Sequence, residues 1–133
     1  MNFILTSITL TFLVAQFINI ALRTKKQGRF TLQNVFMDGG MPSRHASIVT
    51  ALTYSVGLVE GFNSTPFFIS LVFSLLVLRD AIGVRHNVDT LAGVLNKHVK
   101  KQERIHVISG HTKRQVLAGV LLGLFIVTLL YYL

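Results

Sequence analysis

Four long apolar runs constrain this chain more than any other feature of its sequence. A transmembrane helix needs roughly 20 apolar residues to cross a hydrocarbon core of ~30 Å. The runs cover residues 2–22, 44–61, 66–83 and 113–133, where the second and fourth include polar residues at their edges. The 133 residues are 51% hydrophobic and only 14% charged, which is too apolar for an ordinary soluble domain. We therefore predict an all-α fold, a single polytopic membrane domain of four transmembrane helices spanning residues 1–133.

A shorter amphipathic pattern precedes the last apolar run. Val88, Leu91 and Leu95 recur at helical spacing, and lysines crowd the end of the segment. This pattern predicts a short interfacial helix over residues 88–101 that lies on the membrane surface. A solvated charged loop is the alternative interpretation.

Basic residues are concentrated in two of the three connections between the runs. Residues 23–44 and 84–114 contain nearly all the lysine and arginine, whereas the turn at 60–66 contains none. The positive-inside rule then places both basic connections in the cytoplasm and both termini outside. We predict a multi-pass protein of the cytoplasmic or inner membrane.

The net charge of +8 needs a counter-charge, and lipid headgroups are the expected one. Nucleic acid is not predicted as a partner, because no aromatic-basic platform or zinc pattern accompanies the charge. The chain contains no cysteine, which excludes disulfides, thiol catalysis and cysteine-ligated metal. Its histidines and few carboxylates form no convincing ligand set, so we predict neither a metal site nor a cofactor.

Two histidines stand at the entrances of predicted helices that start from the same membrane face. His45 lies at the entrance of the second transmembrane helix and His111 at the entrance of the fourth. Because an even number of crossings separates them, the two imidazoles can meet at one interfacial site. Helix N-termini present unpaired N–H groups and a positive dipole end, and phosphate is the anion to expect there.

Glycine, serine and basic residues surround these histidines in the sequence. Glycine lets the backbone approach a ligand closely, serine can cap a helix or donate to phosphate, and arginine suits bidentate phosphate contact. Arg79 and Asp80 interrupt an apolar run, which predicts a polar partner or cavity, with snorkelling at the helix edge as the alternative. Asp80 is a candidate orienting group. The predicted phosphate-binding residues are Ser43, Arg44, Arg79, Arg85, Lys26, Arg29, Gly40 and Gly110.

Four blocks of the sequence resemble one known family. They are Gly-Gly-Met-Pro-Ser-Arg-His-Ala-Ser at 39–47, Arg-Asp-Ala-Ile-Gly-Val-Arg at 79–85, Val-Leu-Asn at 94–96, and the segment 110–119 that begins Gly-His-Thr. Together they look like the divergent branch of the type 2 phosphatidic acid phosphatase superfamily, the acid phosphatase/vanadium-dependent haloperoxidase-related membrane proteins. The resemblance implies metal-independent phosphoester hydrolysis, in which one histidine attacks phosphorus and another protonates the leaving oxygen.

The general pattern of that superfamily implies roles for individual residues. Pro-Ser-Arg-His ending at His45 matches its Pro-Ser-Gly-His block, which makes His45 the candidate general acid and Ser43 a phosphate contact. His111 matches the histidine of S-R-x5-H-x3-D and is the candidate nucleophile. Lys26 and Arg29 occupy the region of the first block, K-x6-R-P, without its spacing.

The third block departs from the pattern at two places. Gln115 stands where the pattern has aspartate; its amide oxygen can orient the imidazole of His111 but supplies no charge. Thr112 and Gln115 also fit a capping box, which is a structural role, and both roles can coexist. The Ser-Arg of the block is missing, and Arg79 and Arg85 are the candidate replacements, with Arg85 preferred.

Two functions therefore compete. The leading prediction is a membrane phosphatase, a hydrolase that acts on a lipid phosphate or diphosphate at the cytoplasmic interface. The alternative is a non-catalytic lipid-phosphate-binding protein or membrane scaffold, a degenerate phosphatase, motivated by Gln115 and the incomplete basic block. A transporter component rests only on Gln16 and Asn19, which are more often helix-packing groups. A thin bundle of four helices leaves room for a homodimer.

Overall fold

Five α-helices account for most of the described chain. The computed structural model describes residues 2–30, 40–99 and 112–133, without the side chains of residues 84–86 and 89. The helices are α1 (Phe3–Gln27), α2 (Arg44–Glu60), α3 (Thr65–Ile82), α4 (Val84–His98) and α5 (Lys113–Tyr132). These described ranges contain no strand, and the all-α prediction is confirmed.

Helix α1 is longer than the apolar run from which it was predicted. The run ends at Leu22, but the helix continues through Gln27 and stops at Gly28, whose φ is 70°. Arginine, lysine and glutamine are good helix formers, so charge ends the apolar run without ending the helix. Glycine takes the left-handed conformation that ends it. As a result, Arg23 and Lys26 lie on a helix and not in a loop.

Within the described ranges, three helices are long and apolar enough to cross a membrane, namely α1, α3 and α5. Helix α2 has 17 residues, one fewer than α3, which is the shortest of these three helices. At about 1.5 Å per residue it is roughly 26 Å long. It is also the central helix, because it packs against α1, α3 and α5. The count of four spans therefore stays a prediction.

Hydroxyl groups join α2 to α3. Thr53 Oγ1 donates to the carbonyl of Ser70 at 3.1 Å, and Ser74 Oγ donates to the carbonyl of Val49 at 2.9 Å. The two hydroxyl oxygens of Thr53 and Ser74 lie 2.6 Å apart. Hydrogen bonds between helices contribute roughly 0.6 kcal/mol each in a membrane, and they fix which residues of the two helices face each other.

Two glycines, one helical turn apart, allow α5 to pack closely on α2. A Cβ at Gly119 would lie 2.5 Å from the carbonyl oxygen of Ser43, and a Cβ at Gly123 would lie 2.6 Å from that of Ser47. Small residues spaced by four permit close approach of membrane helices, and both helices here present them. The contact at Gly119 lies next to the start of α2.

The two ends of the bundle differ in chemistry. At one end the rings of Phe3 and Tyr131 lie 6.1 Å apart, and Phe62 packs against Tyr54 and Phe67. Because Phe3 begins α1 and Tyr131 lies in the last turn of α5, these helices are antiparallel. The end of α1 and the start of α5, both rich in lysine and arginine, therefore share the opposite end.

Helix α4 begins at Val84, four residues before its predicted start, and only Gly83 separates it from α3. Its predicted range of 88–101 continues past residue 99 into residues outside the described part. Val88, Leu91 and Leu95 are 47%, 63% and 51% exposed, respectively. An apolar face left uncovered by the bundle is what an interfacial helix requires, and its placement at a membrane surface stays a prediction.

Candidate functional site

Ser43 connects the start of α2 to the start of α5. Its fully buried side chain caps α2 by accepting from the Ala46 N–H at 3.4 Å. Its own backbone N–H donates to the carbonyl oxygen of Gln115 at 3.0 Å. The Pro-Ser-Arg-His block and the first turn of α5 are therefore in direct contact.

A small apolar cluster joins three of the sequence blocks. Ala46 on α2, Ala81 on α3 and Val116 on α5 are 0%, 2% and 4% exposed and pack together. Each directly follows a predicted site residue in the sequence, and those residues are His45, Asp80 and Gln115. Residues that are 35 to 70 positions apart in the chain (46, 81 and 116) therefore meet at the basic end of the bundle.

Helix α1 contacts the same block from another side. Asn19 Nδ2 donates to the carbonyl of Pro42 at 2.9 Å, and Arg44 Nη1 donates to Gln16 Oε1. A Cβ at Gly40 would overlap the Oδ1 atom of Asn19, so a larger residue here would displace that side chain. Residues 40–43, the described part of the loop before α2, thus lie against the polar side of α1.

The cations at this end differ in exposure. Arg44 is partly buried, whereas Lys26, Arg29 and Arg79 are exposed. Arg23, which was not among the predicted phosphate-binding residues, is partly buried. Asp80 is partly buried as well, next to the cluster of Ala81.

Three predicted site residues cannot be placed in this way. His111 and Gly110 lie outside the described residues, and Arg85 lies on α4 with its side chain outside the described part. Thr112, which follows His111 in the sequence, is the N-cap of α5. The roles assigned to these three residues stay predictions.

Gln115 forms the capping box that its sequence position suggested. Its Oε1 accepts from the Thr112 N–H at 2.8 Å, and the Thr112 hydroxyl oxygen accepts from the Gln115 N–H at 3.3 Å. A carbonyl oxygen has two lone pairs, so this cap leaves room for a second donor. The structural role is present, and the orienting role toward His111 stays a prediction.

Two helix N-termini thus meet at one basic end. Each terminus carries a positive partial charge and backbone N–H groups that suit an anion. The first turns of the two helices add Arg44 and the exposed Lys113 and Arg114. This combination is suited to a phosphate group. No three His, Asp or Glu residues of the described part come together to hold a metal ion.

Comparison with known proteins identifies the family. The sequence profile of the Divergent PAP2 family matches residues 1–126 of the chain. The chain belongs to the Divergent PAP2 family. The protein named Uncharacterized membrane protein YuiD, from Bacillus subtilis (strain 168), is 30% identical over an alignment 150 positions long that covers 98% of this chain and 95% of YuiD. No solved structure matches the chain significantly. The resemblance found in the sequence is confirmed.

Sequence reasoning on this Divergent PAP2 protein did not single out Arg23, which approaches Gly40. Gln16 and Asn19 were interpreted as packing groups, and both do join α1 to the start of α2, because Asn19 donates to the Pro42 carbonyl and Gln16 accepts from Arg44. The spacing of these three α1 residues, by three and four positions, places them on one helix face. A signal was available, because polar side chains inside a membrane span usually face a partner or a polar cavity.

Proposed function

We propose that this Divergent PAP2 protein hydrolyses the phosphate or diphosphate of a lipid at the basic end of its bundle, without a metal. The observation that carries this proposal is the hydrogen bond from the Ser43 N–H to the Gln115 carbonyl oxygen. It joins α2, whose first turn contains His45, to α5, which begins two residues after His111.

The proposed reaction uses the two histidines in turn. The neutral imidazole of His111 attacks phosphorus, and the lipid oxygen leaves as it takes a proton from His45. Water then attacks the phosphohistidine and releases inorganic phosphate. The cations and helix N-termini around Arg44 stabilise the negative charge of the transferring phosphoryl group.

The proposal includes an arrangement in the membrane. Helix α2 packs between α1, α3 and α5, each of which is long and apolar enough to span, so we propose that α2 crosses with them. The basic end would face the cytoplasm by the positive-inside rule. Aromatic side chains such as Tyr131 and Tyr132 would then lie at the outer interface, where aromatic residues are enriched.

Phosphate release from lipid phosphates is the first test. Purified wild-type protein in detergent with EDTA should release phosphate from dioctanoyl phosphatidic acid or from a polyprenyl phosphate, because the proposed site uses imidazoles and cations in place of a metal. Release is measured by a colorimetric phosphate assay against a mock purification from cells without the protein. Release that requires added divalent metal, or none above the mock level, would contradict the proposal.

A non-catalytic lipid-phosphate-binding protein is the second candidate. It is favoured by the position of Gln115, whose Oε1 serves the helix cap and which has no charge to stabilise an imidazolium. Such a protein would bind a lipid phosphate at the same basic end without turnover.

Gln115→Glu separates these two candidates. Glutamate preserves the capping box, since glutamate and glutamine both serve at this position, and it adds the missing charge. We expect phosphate release to rise by about tenfold or more if His111 is the nucleophile, because a carboxylate beside a catalytic imidazole strongly supports turnover. The control is Gln115→Ala, which removes only the Gln115 Oε1 half of the capping box and should lower stability by about 0.5–1.5 kcal/mol without raising release. Wild-type and Gln115→Glu proteins that bind dioctanoyl phosphatidic acid but release no phosphate would favour the second candidate.

A further inference from the structure

Arg23 is the cation of α1 that approaches the loop before α2. A Cβ at Gly40 would lie 3.2 Å from Nη2 of Arg23, so the guanidinium reaches the backbone of this loop. Arg23 is partly buried, whereas Lys25, Lys26 and Arg29 are exposed. Among these four cations, only the side chain of Arg23 is therefore partly buried between its own helix and Gly40.

Asn19, one turn before Arg23, supplies an independent observation. It is 4% exposed, and its Nδ2 donates to the carbonyls of Ala15 and Pro42. Its Oδ1 faces Gly40 and has no hydrogen-bond partner within the described part of the chain. A buried acceptor left in this state costs about 1–3 kcal/mol, and in a native protein it calls for an explanation, of which a functional role is one. The polar face of α1, with Asn19 and Arg23, is thus directed at Gly40 and Pro42.

Partial burial makes Arg23 better suited to contact a phosphate than the exposed cations are. Solvent and salt screen an exposed charge, while a partly buried charge acts through a lower effective dielectric constant. The planar guanidinium can also contact two phosphate oxygens at once. Through Gln16, the same helix holds Arg44, so two arginines border the start of α2.

We propose that Arg23 binds the substrate phosphate and acts as the principal cation contributed by α1. This inference rests on the proposed function and deepens it, because it assigns the α1 side of the phosphate site. The ligand it recognises is a phosphate monoester or diphosphate group, approached from α1 while the N-terminus of α2 contacts it from the other side. Lys26 and Arg29 take a smaller part.

The test compares charge-removing variants along α1. Arg23→Gln should raise KM for dioctanoyl phosphatidic acid by about ten- to hundredfold, the range expected for a lost hydrogen bond to a charged group. Arg23→Lys, which keeps charge without the planar fork, should lie between Arg23→Gln and wild type. The matched control is Lys25→Gln, an exposed position two residues away, which should stay within about twofold of wild type. Thermal unfolding of each variant in detergent verifies that it is folded. If Arg23→Gln does not fold, the KM of Arg23→Lys tests the inference in its place.

The outcomes distinguish this inference from the proposed function. If Arg23→Gln behaves like Lys25→Gln while Lys26→Gln or Arg29→Gln raises KM, the inference is wrong, and a loss of turnover in His111→Ala still supports the phosphatase. If the wild type binds the lipid without hydrolysing it, the Kd of dioctanoyl phosphatidic acid replaces KM and the same ranking applies. A wild type that neither hydrolyses nor binds this lipid overturns both proposals.

Discussion

Gly119→Ala should destabilise the protein by about 1–3 kcal/mol or more, because it forces atoms into an interface without space. The new Cβ would lie 2.5 Å from the Ser43 carbonyl oxygen and 2.9 Å from the Ala46 Cβ. Neither neighbour is the end of a flexible side chain, so the two helices must separate. Since Ser43 also holds the first turn of α5, we expect phosphate release to fall together with stability.

The matched control is Gly93→Ala on α4. A Cβ there would meet nothing within 4 Å, so removing a helical glycine should stabilise by about 0.5–1 kcal/mol. Stability is measured for both variants by thermal unfolding in one detergent. Equal unfolding temperatures for Gly119→Ala and wild type would mean that α2 and α5 do not pack as described. Gly123→Ala, whose Cβ would lie 2.6 Å from the Ser47 carbonyl oxygen, should behave like Gly119→Ala.

His111→Ala should reduce phosphate release by about a thousandfold or more, since removing a nucleophile leaves only binding and electrostatic effects. His45→Ala should reduce it by about a hundredfold to ten-thousandfold, the usual contribution of general acid–base catalysis. The two roles can be separated with a substrate whose leaving group is a weak base. Such a leaving group departs without a proton, so it should restore much of the activity of His45→Ala and none of that of His111→Ala.

His98→Ala is the control for both histidine variants. His98 is exposed on α4, where its Nδ1 lies 3.0 Å from the carbonyl oxygen of Val94. We expect this variant to retain wild-type release. Folded His111→Ala protein that still releases phosphate at the wild-type rate would remove His111 from the mechanism. Equal losses in all three variants would point to a general effect of altering the chain.

Some of the candidate site was predictable because its signals are local. The Ser43 cap and the Thr112–Gln115 capping box depend on residues within one helical turn, and both are present. The grouping of the Pro-Ser-Arg-His block with the start of α5 also followed from the order of apolar runs. The full length of α1 was not predictable from the apolar run, which stops at Leu22, where charge begins, because a helix ends where its backbone conformation changes, here at Gly28.

The sequence by itself determined that this protein is helical, rich in segments apolar enough to span a membrane and a member of the Divergent PAP2 family, because apolar runs, caps and motif blocks are properties of neighbouring residues. Only the tertiary structure decided that Asn19 and Arg23 approach Gly40, and that Ala46, Ala81 and Val116 form one cluster. These contacts depend on which faces of the helices pack together and in which register. Close approach at Gly119 and hydroxyl bonds at Thr53 set that register, and both are relations between helices distant in the chain.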